Sequence, residues 1–109
     1  MQVKLKSGTF EGFRWNIGDS GICYCAYVEI PKGHPFYGKD NPHLICYGGV
    51  TYAKKGIETY GEDPDSWVLG WDYFHGWGEG YHVSIQQIED DVRDVIRQVM
   101  RLSVLPGSD

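Results

Sequence analysis

Ile22-Cys23-Tyr24-Cys25-Ala26-Tyr27-Val28-Glu29-Ile30 is the run from which the fold can be read. It is rich in β-branched and aromatic residues, Gly21 precedes it and Pro31 ends it, so it predicts a strand. Side chains alternate across a strand, which puts Ile22, Tyr24, Ala26, Val28 and Ile30 on one face. Cys23, Cys25, Tyr27 and Glu29 fall on the other. The first face is apolar and needs cover. The C-terminal segment offers it: Ile85, Ile88, Val92, Val95, Ile96 and Val99 recur at helical spacing and form one stripe. Ser84 and Gln87 fit a capping box at its start, and Pro106-Gly107 marks its stop. Arg97 and Arg101 near its end suit the helix dipole.

Working outward, residues 2–6 and 9–15 read as two more strands, and 17–21 as a turn cluster. Residues 31–42, with three prolines, read as a loop. Residues 44–47 and 50–53 flank Gly48-Gly49 as a hairpin or bulged pair, residues 54–66 form a flexible acidic loop, and 67–71 are a further strand. The expected architecture is a single α+β domain over 1–109. A twisted, mainly antiparallel sheet over about 2–81 packs on one long helix over about 85–103.

Length and composition agree. The chain of 109 residues has room for one core. Aromatics make up 15% of it, which suits a ring-rich core with many turns. No apolar run approaches the roughly 18 residues of a spanning helix, and residues 1–6 lack a signal-like stretch. The three cysteines, Cys23, Cys25 and Cys46, are too few and too oddly spaced for a disulfide framework or a zinc knuckle. They fit buried thiols in a reducing cytoplasm.

The formal charge of -5 is unevenly spread. Residues 56–83 carry Glu58, Glu62, Asp63, Asp65, Asp72 and Glu79 and no Lys or Arg, whereas the first half of the chain is net basic. Such a segment repels phosphate and argues against general nucleic-acid binding. It also attracts a basic surface. Tyr60, Glu62, Asp63, Asp65 and Trp77 are therefore the candidate partner-binding set, set against a plain solvated loop.

Three segments combine glycines with polar and aromatic residues: Pro31-Lys32-Gly33-His34-Pro35-Phe36-Tyr37-Gly38-Lys39, Tyr47-Gly48-Gly49-Val50-Thr51-Tyr52 and Trp67-Val68-Leu69-Gly70-Trp71-Asp72-Tyr73-Phe74-His75. Glycines at 48 and 49 let backbone approach a ligand, Lys39 and Thr51 suit an anionic group, and Trp71 suits stacking. With His34, Asp72 and His75 they make up the candidate ligand-binding set for a nucleotide-like molecule. His34, Asp72 and His75 would also serve as a two-His, one-carboxylate metal set for a hydrolase. The alternative is that His34 caps a proline-rich turn, Asp72 pairs structurally, and the rings fill the core. Cys46 sits in an apolar run and is a poor nucleophile, so no catalytic residue is assigned.

Taken in order, the three segments resemble a family of small proteins of tailed bacteriophages and prophages. That family carries Pro-x-Gly-His-Pro-x-x-Gly-Lys, then His-Gly-Gly-x-Thr-Tyr, then Trp-x-x-Gly-Phe-Asp-x-x-His, before a C-terminal helix. The similarity spans residues 22–103. Tyr47 stands in place of a His and Trp71 in place of a Phe. The resemblance implies a phage origin and action inside the host cell, without an assigned activity. The expectation is an accessory protein that binds a host protein, with inhibition of a bacterial defence system as one version. No cofactor and no membrane are called for, and a homo-oligomer stays open.

Overall fold

A computed structural model describes residues 3–40, 42–74 and 80–104. His75 and Trp77, from the candidate sets, lie outside them, as does Pro106-Gly107. In chain order the elements are β1 (Val3–Phe10), β2 (Phe13–Asp19), β3 (Tyr24–Ile30), β4 (Tyr52–Lys55), a single 3-10 turn (Glu58–Tyr60), β5 (Trp67–Asp72) and α1 (Ile85–Val104). The strands form one five-stranded sheet in the order β1-β2-β3-β5-β4, and every neighbouring pair is antiparallel. With the helix packed on it, this is the α+β arrangement expected.

The helix lies across one face of the sheet. Ile88, Val92, Val95, Ile96 and Val99 are buried there against Trp15, Ile17, Ala26, Val28, Ile30, Leu69 and Trp71. Each such aliphatic side chain contributes about 1.5–3 kcal/mol by leaving water. Polar contacts fix how the helix sits. Lys6 pairs with Glu89, which also takes Arg93, and Arg93 and Arg97 lie over the Phe10 ring at 5.9 and 5.2 Å. At the helix start the Gln87 N–H donates to Ser84 Oγ at 3.1 Å. The return half of the capping box is replaced, because the Gln87 amide donates forward to Asp91 Oδ1 at 3.1 Å.

Several expected boundaries move. The chain reverses at Glu11-Gly12, inside the expected 9–15 strand; φ is 51° at Glu11 and 85° at Gly12. Positive φ at both positions is the geometry of a two-residue hairpin loop whose twist matches its strands. Ile17 and Gly18 belong to β2, so the expected turn begins only at Ser20, where its N–H meets the Cys23 carbonyl at 3.1 Å. Ile22 precedes β3 and is 65% exposed. Residues 44–47 form no strand. At Ile45 the backbone is served instead by one side chain: Gln98 accepts from the Ile45 N–H and donates to the Ile45 carbonyl, both at 2.8 Å. Gly48-Gly49 closes a turn on the Cys46 carbonyl (3.1 Å) instead of a hairpin, and β4 starts only at Tyr52.

Candidate functional site

The face turned away from the helix carries Lys4, Ser7 and Thr9 from β1, Arg14 and Asn16 from β2, and Tyr27 and Glu29 from β3. Strand alternation and the pairing of Ser7 with Asn16 and of Thr9 with Arg14 place them there. An antiparallel sheet commonly leaves such a face to water. Here part of it is covered, because residues 56–66 fold back over it.

That segment is tied down along its length. The Gly56 N–H donates to the Ser66 carbonyl at 3.0 Å, and the Ser66 N–H and hydroxyl both donate to the Asp63 carbonyl, at 3.0 and 2.7 Å. Glu62 is 6% exposed and turns its carboxylate inward to accept the Ile57 N–H at 2.9 Å. Glu29, 8% exposed, accepts the Asp63 N–H at 3.3 Å and lies 3.6 Å from the Arg14 guanidinium. Arg14 also donates to the Gly61 carbonyl. The expected flexible acidic loop is thus a braced wall. Glu58, Tyr60, Asp63 and Asp65 remain exposed on it, and Glu62 does not.

Between this wall and β1–β2 run two contiguous recesses. One, of about 330 Å³, is lined by Lys4, Asn16, Thr59, Tyr60, Gly61 and Glu62. The other, of about 200 Å³, shares Lys4, Asn16 and Gly61 and extends along Ser7, Thr9, Arg14 and Glu29. Sequence reasoning placed Tyr60 and Glu62 in a partner-binding set but did not foresee this concavity. Its residues come from three separate segments and form no motif. The one available signal was Glu29 on a strand otherwise made of apolar and aromatic residues.

Burial pushes the Glu62 carboxyl above its ordinary value of 4.5, and Glu29 adds to the rise, while the Ile57 N–H, Asn16 and Lys4 pull it back. The folded protein therefore holds this proton more tightly than the unfolded chain. The resulting stability is present in full below the ordinary value and is lost as pH rises through the folded one. Glu62→Gln, which mimics the protonated form, is expected to remove that slope. Urea midpoints of parent and variant across the acid range should show the parent losing ground to Glu62→Gln as pH rises. A difference that is constant with pH would contradict this.

The motif residues take other places. His34 is buried and both ring nitrogens are used: Nδ1 accepts the Phe36 N–H at 3.0 Å, so Nε2 carries the proton and donates to the Val99 carbonyl at 2.8 Å. It docks the proline-rich loop on α1, and neither nitrogen is left for a metal or a ligand. Trp71 is 1% exposed and cannot stack on a ligand. Its indole N–H donates to the Tyr73 hydroxyl at 2.9 Å, which donates to Asp91 at 2.7 Å. Asp72 accepts the Thr51 hydroxyl at 3.0 Å and the Phe74 N–H at 3.1 Å, so both its oxygens serve the fold. Gly48, at φ 69°, lies against the Asp72 carbonyl, and Gly49 has φ 80°. Thr51, Asp72 and Gly48 are therefore brought together, while His34 is engaged with the helix. The Lys39 side chain is exposed, and its carbonyl accepts the Trp67 indole N–H at 2.9 Å.

All three cysteines are free. Cys23 and Cys25 share a face, 3.9 Å apart at sulfur. Burial pushes Cys25 and Cys46 each up to about 11, which keeps both thiols protonated and poorly nucleophilic. Among the described residues no three His, Cys, Asp or Glu side chains gather as a metal set, and no helix is long and apolar enough to cross a membrane. No protein family, curated protein or solved structure matches the chain.

Proposed function

We propose that this chain is a small cytoplasmic accessory protein of phage or prophage origin that acts by binding a host protein with a basic surface. Inhibition of a bacterial defence system is one form such binding takes. One observation carries the reading: segment 56–66 is closed on itself by Glu62 and Ser66 and held to the sheet by Arg14 and Glu29, while Glu58, Tyr60, Asp63 and Asp65 stay exposed. A wall held in one shape loses little conformational entropy on association. Tyr60, 51% exposed among these carboxylates, has the character of an interface anchor. Among the described residues the only ion pair these exposed carboxylates make is Asp65 with Lys32, at 3.8 Å with both side chains largely in water, and such a pair is readily exchanged. The three phage-like motifs support the origin and hence the compartment.

The test is affinity capture from a bacterial lysate with the tagged full chain, beside a variant carrying Glu58→Ser, Asp63→Ser and Asp65→Ser. The wild type is expected to retain one host protein, and the variant to lose it by more than about tenfold, equal to about 1.4 kcal/mol. Capture should also weaken with salt. Equal retention by the variant, or no specific capture by the wild type, would defeat the reading.

A further inference from the structure

We infer that the recess on the open face of the sheet is a binding site for an uncharged, hydroxyl-rich ligand of the saccharide class. The inference concerns the inside of the wall and not its outer carboxylates, and it shares only Tyr60 with the host-protein reading.

The chemistry of the lining selects the ligand. Lys4 and Arg14 bring two positive charges to the recess, and Glu29 and Glu62 bring two negative ones. A phosphate-bearing ligand would meet two carboxylates, and a cationic ligand would meet two cations. A neutral ligand meets neither penalty. A sugar hydroxyl both donates and accepts, and the recess offers both complements within one concavity. Lys4 and the guanidinium N–H groups of Arg14 not used on Gly61 and Glu29 donate, and Glu29 and Glu62, which already take the Asp63 and Ile57 N–H groups, accept through their remaining lone pairs. Lys4 is the residue whose capacity is least used. Its ammonium lines both recesses, feels the Glu62 charge, and has no hydrogen bond or ion pair among the described residues.

Shape supports the same class. The recess of about 330 Å³ falls at the small end of ligand sites. Tyr60 stands at its rim, half exposed, and offers the flat apolar face on which the C–H side of a pyranose ring packs. Asn16 (8% exposed), Glu29 and Glu62 are held by backbone and side-chain hydrogen bonds, so the floor is formed before the ligand arrives.

The experiment follows backbone amide shifts of the full chain by two-dimensional NMR during titration with glucose, N-acetylglucosamine and maltose. Inorganic phosphate and the methyl ester of arginine serve as charged comparators. Saturating shifts confined to residues 4–9, 14–16 and 59–62, with a dissociation constant on the order of 1 mM, are expected for at least one saccharide. Glucose against maltose tells a single ring from a chain of rings, and a saturating response to either supports the site. Lys4→Met, at an exposed position, should weaken binding at least about fivefold while its urea midpoint stays near the parent's. Lys54→Met, on the same face at the opposite edge of the sheet, should leave it unchanged. The inference is overturned by any of three results: no saturating response to a saccharide, tighter binding of phosphate or the arginine ester, or a Lys4→Met variant that titrates like the parent.

Discussion

Gly56→Ala is expected to lower stability by at least about 3 kcal/mol and to detach residues 56–66 from the sheet. An alanine Cβ at this position would sit 1.9 Å from the Asp63 carbonyl oxygen and 2.9 Å from Ser66 Oγ. The oxygen cannot step aside cheaply, because it already accepts the Ser66 N–H and hydroxyl. The chain must open there, and with it go the Gly56 bond to the Ser66 carbonyl and the inward seat of Glu62. Glu29 then loses the Asp63 N–H and Arg14 loses the Gly61 carbonyl. A fall in melting temperature of more than about 10 °C should accompany this. A variant whose urea midpoint matches the parent would show that the wall is not closed at Gly56.

Trp71→Ala is the second severe change. It removes the largest fully buried side chain from the middle of the helix-facing core, and truncation of such a ring costs about 3–5 kcal/mol. It also leaves the Tyr73 hydroxyl without its donor partner, although the bond to Asp91 survives. Against a domain stability of about 5–15 kcal/mol, this removes a large share of the margin and should lower the melting temperature by more than about 10 °C. Trp71→Phe keeps one six-membered ring but loses the pyrrole half of the indole with its N–H, so a smaller cost of about 1–3 kcal/mol is expected. Calorimetry of the two variants checks the order. A tolerated Trp71→Ala would mean the ring is not a core element, and would reopen its reading as a stacking platform.

The parts of this fold that were legible are those where one chain segment carries its own pattern. The stripe from Ile85 to Val99 is a helix whatever surrounds it, and the alternation through Ala26, Val28 and Ile30 marks the face that the helix covers. The hairpin at Glu11-Gly12 was hidden because Glu is not a residue that favours positive φ, so nothing but Gly12 announced it. The extended run 44–47 has strand-like composition, but its pairing went to the Gln98 side chain, a long-range contact no local pattern encodes.

The site was harder still. His34, Trp71 and Asp72 stood out because they are chemically versatile residues in glycine-rich surroundings, and the fold uses that versatility internally. Asn16, Glu29 and Glu62 lie 13 and 33 residues apart in sequence and meet only when the 56–66 wall closes. The acidic charge of that wall was readable from composition. Its rigidity was not, because the turning-in of Glu62 depends on a sheet face formed elsewhere.

Amide hydrogen exchange across residues 56–66 tests most directly whether this segment is a built surface. The N–H groups of Gly56, Ile57, Glu62, Asp63 and Ser66 are all hydrogen-bonded, so they should exchange on the slow timescale of the β3 and β5 amides. Exchange of these five at the rate of an unstructured peptide, while β3 and β5 stay protected, would contradict the account.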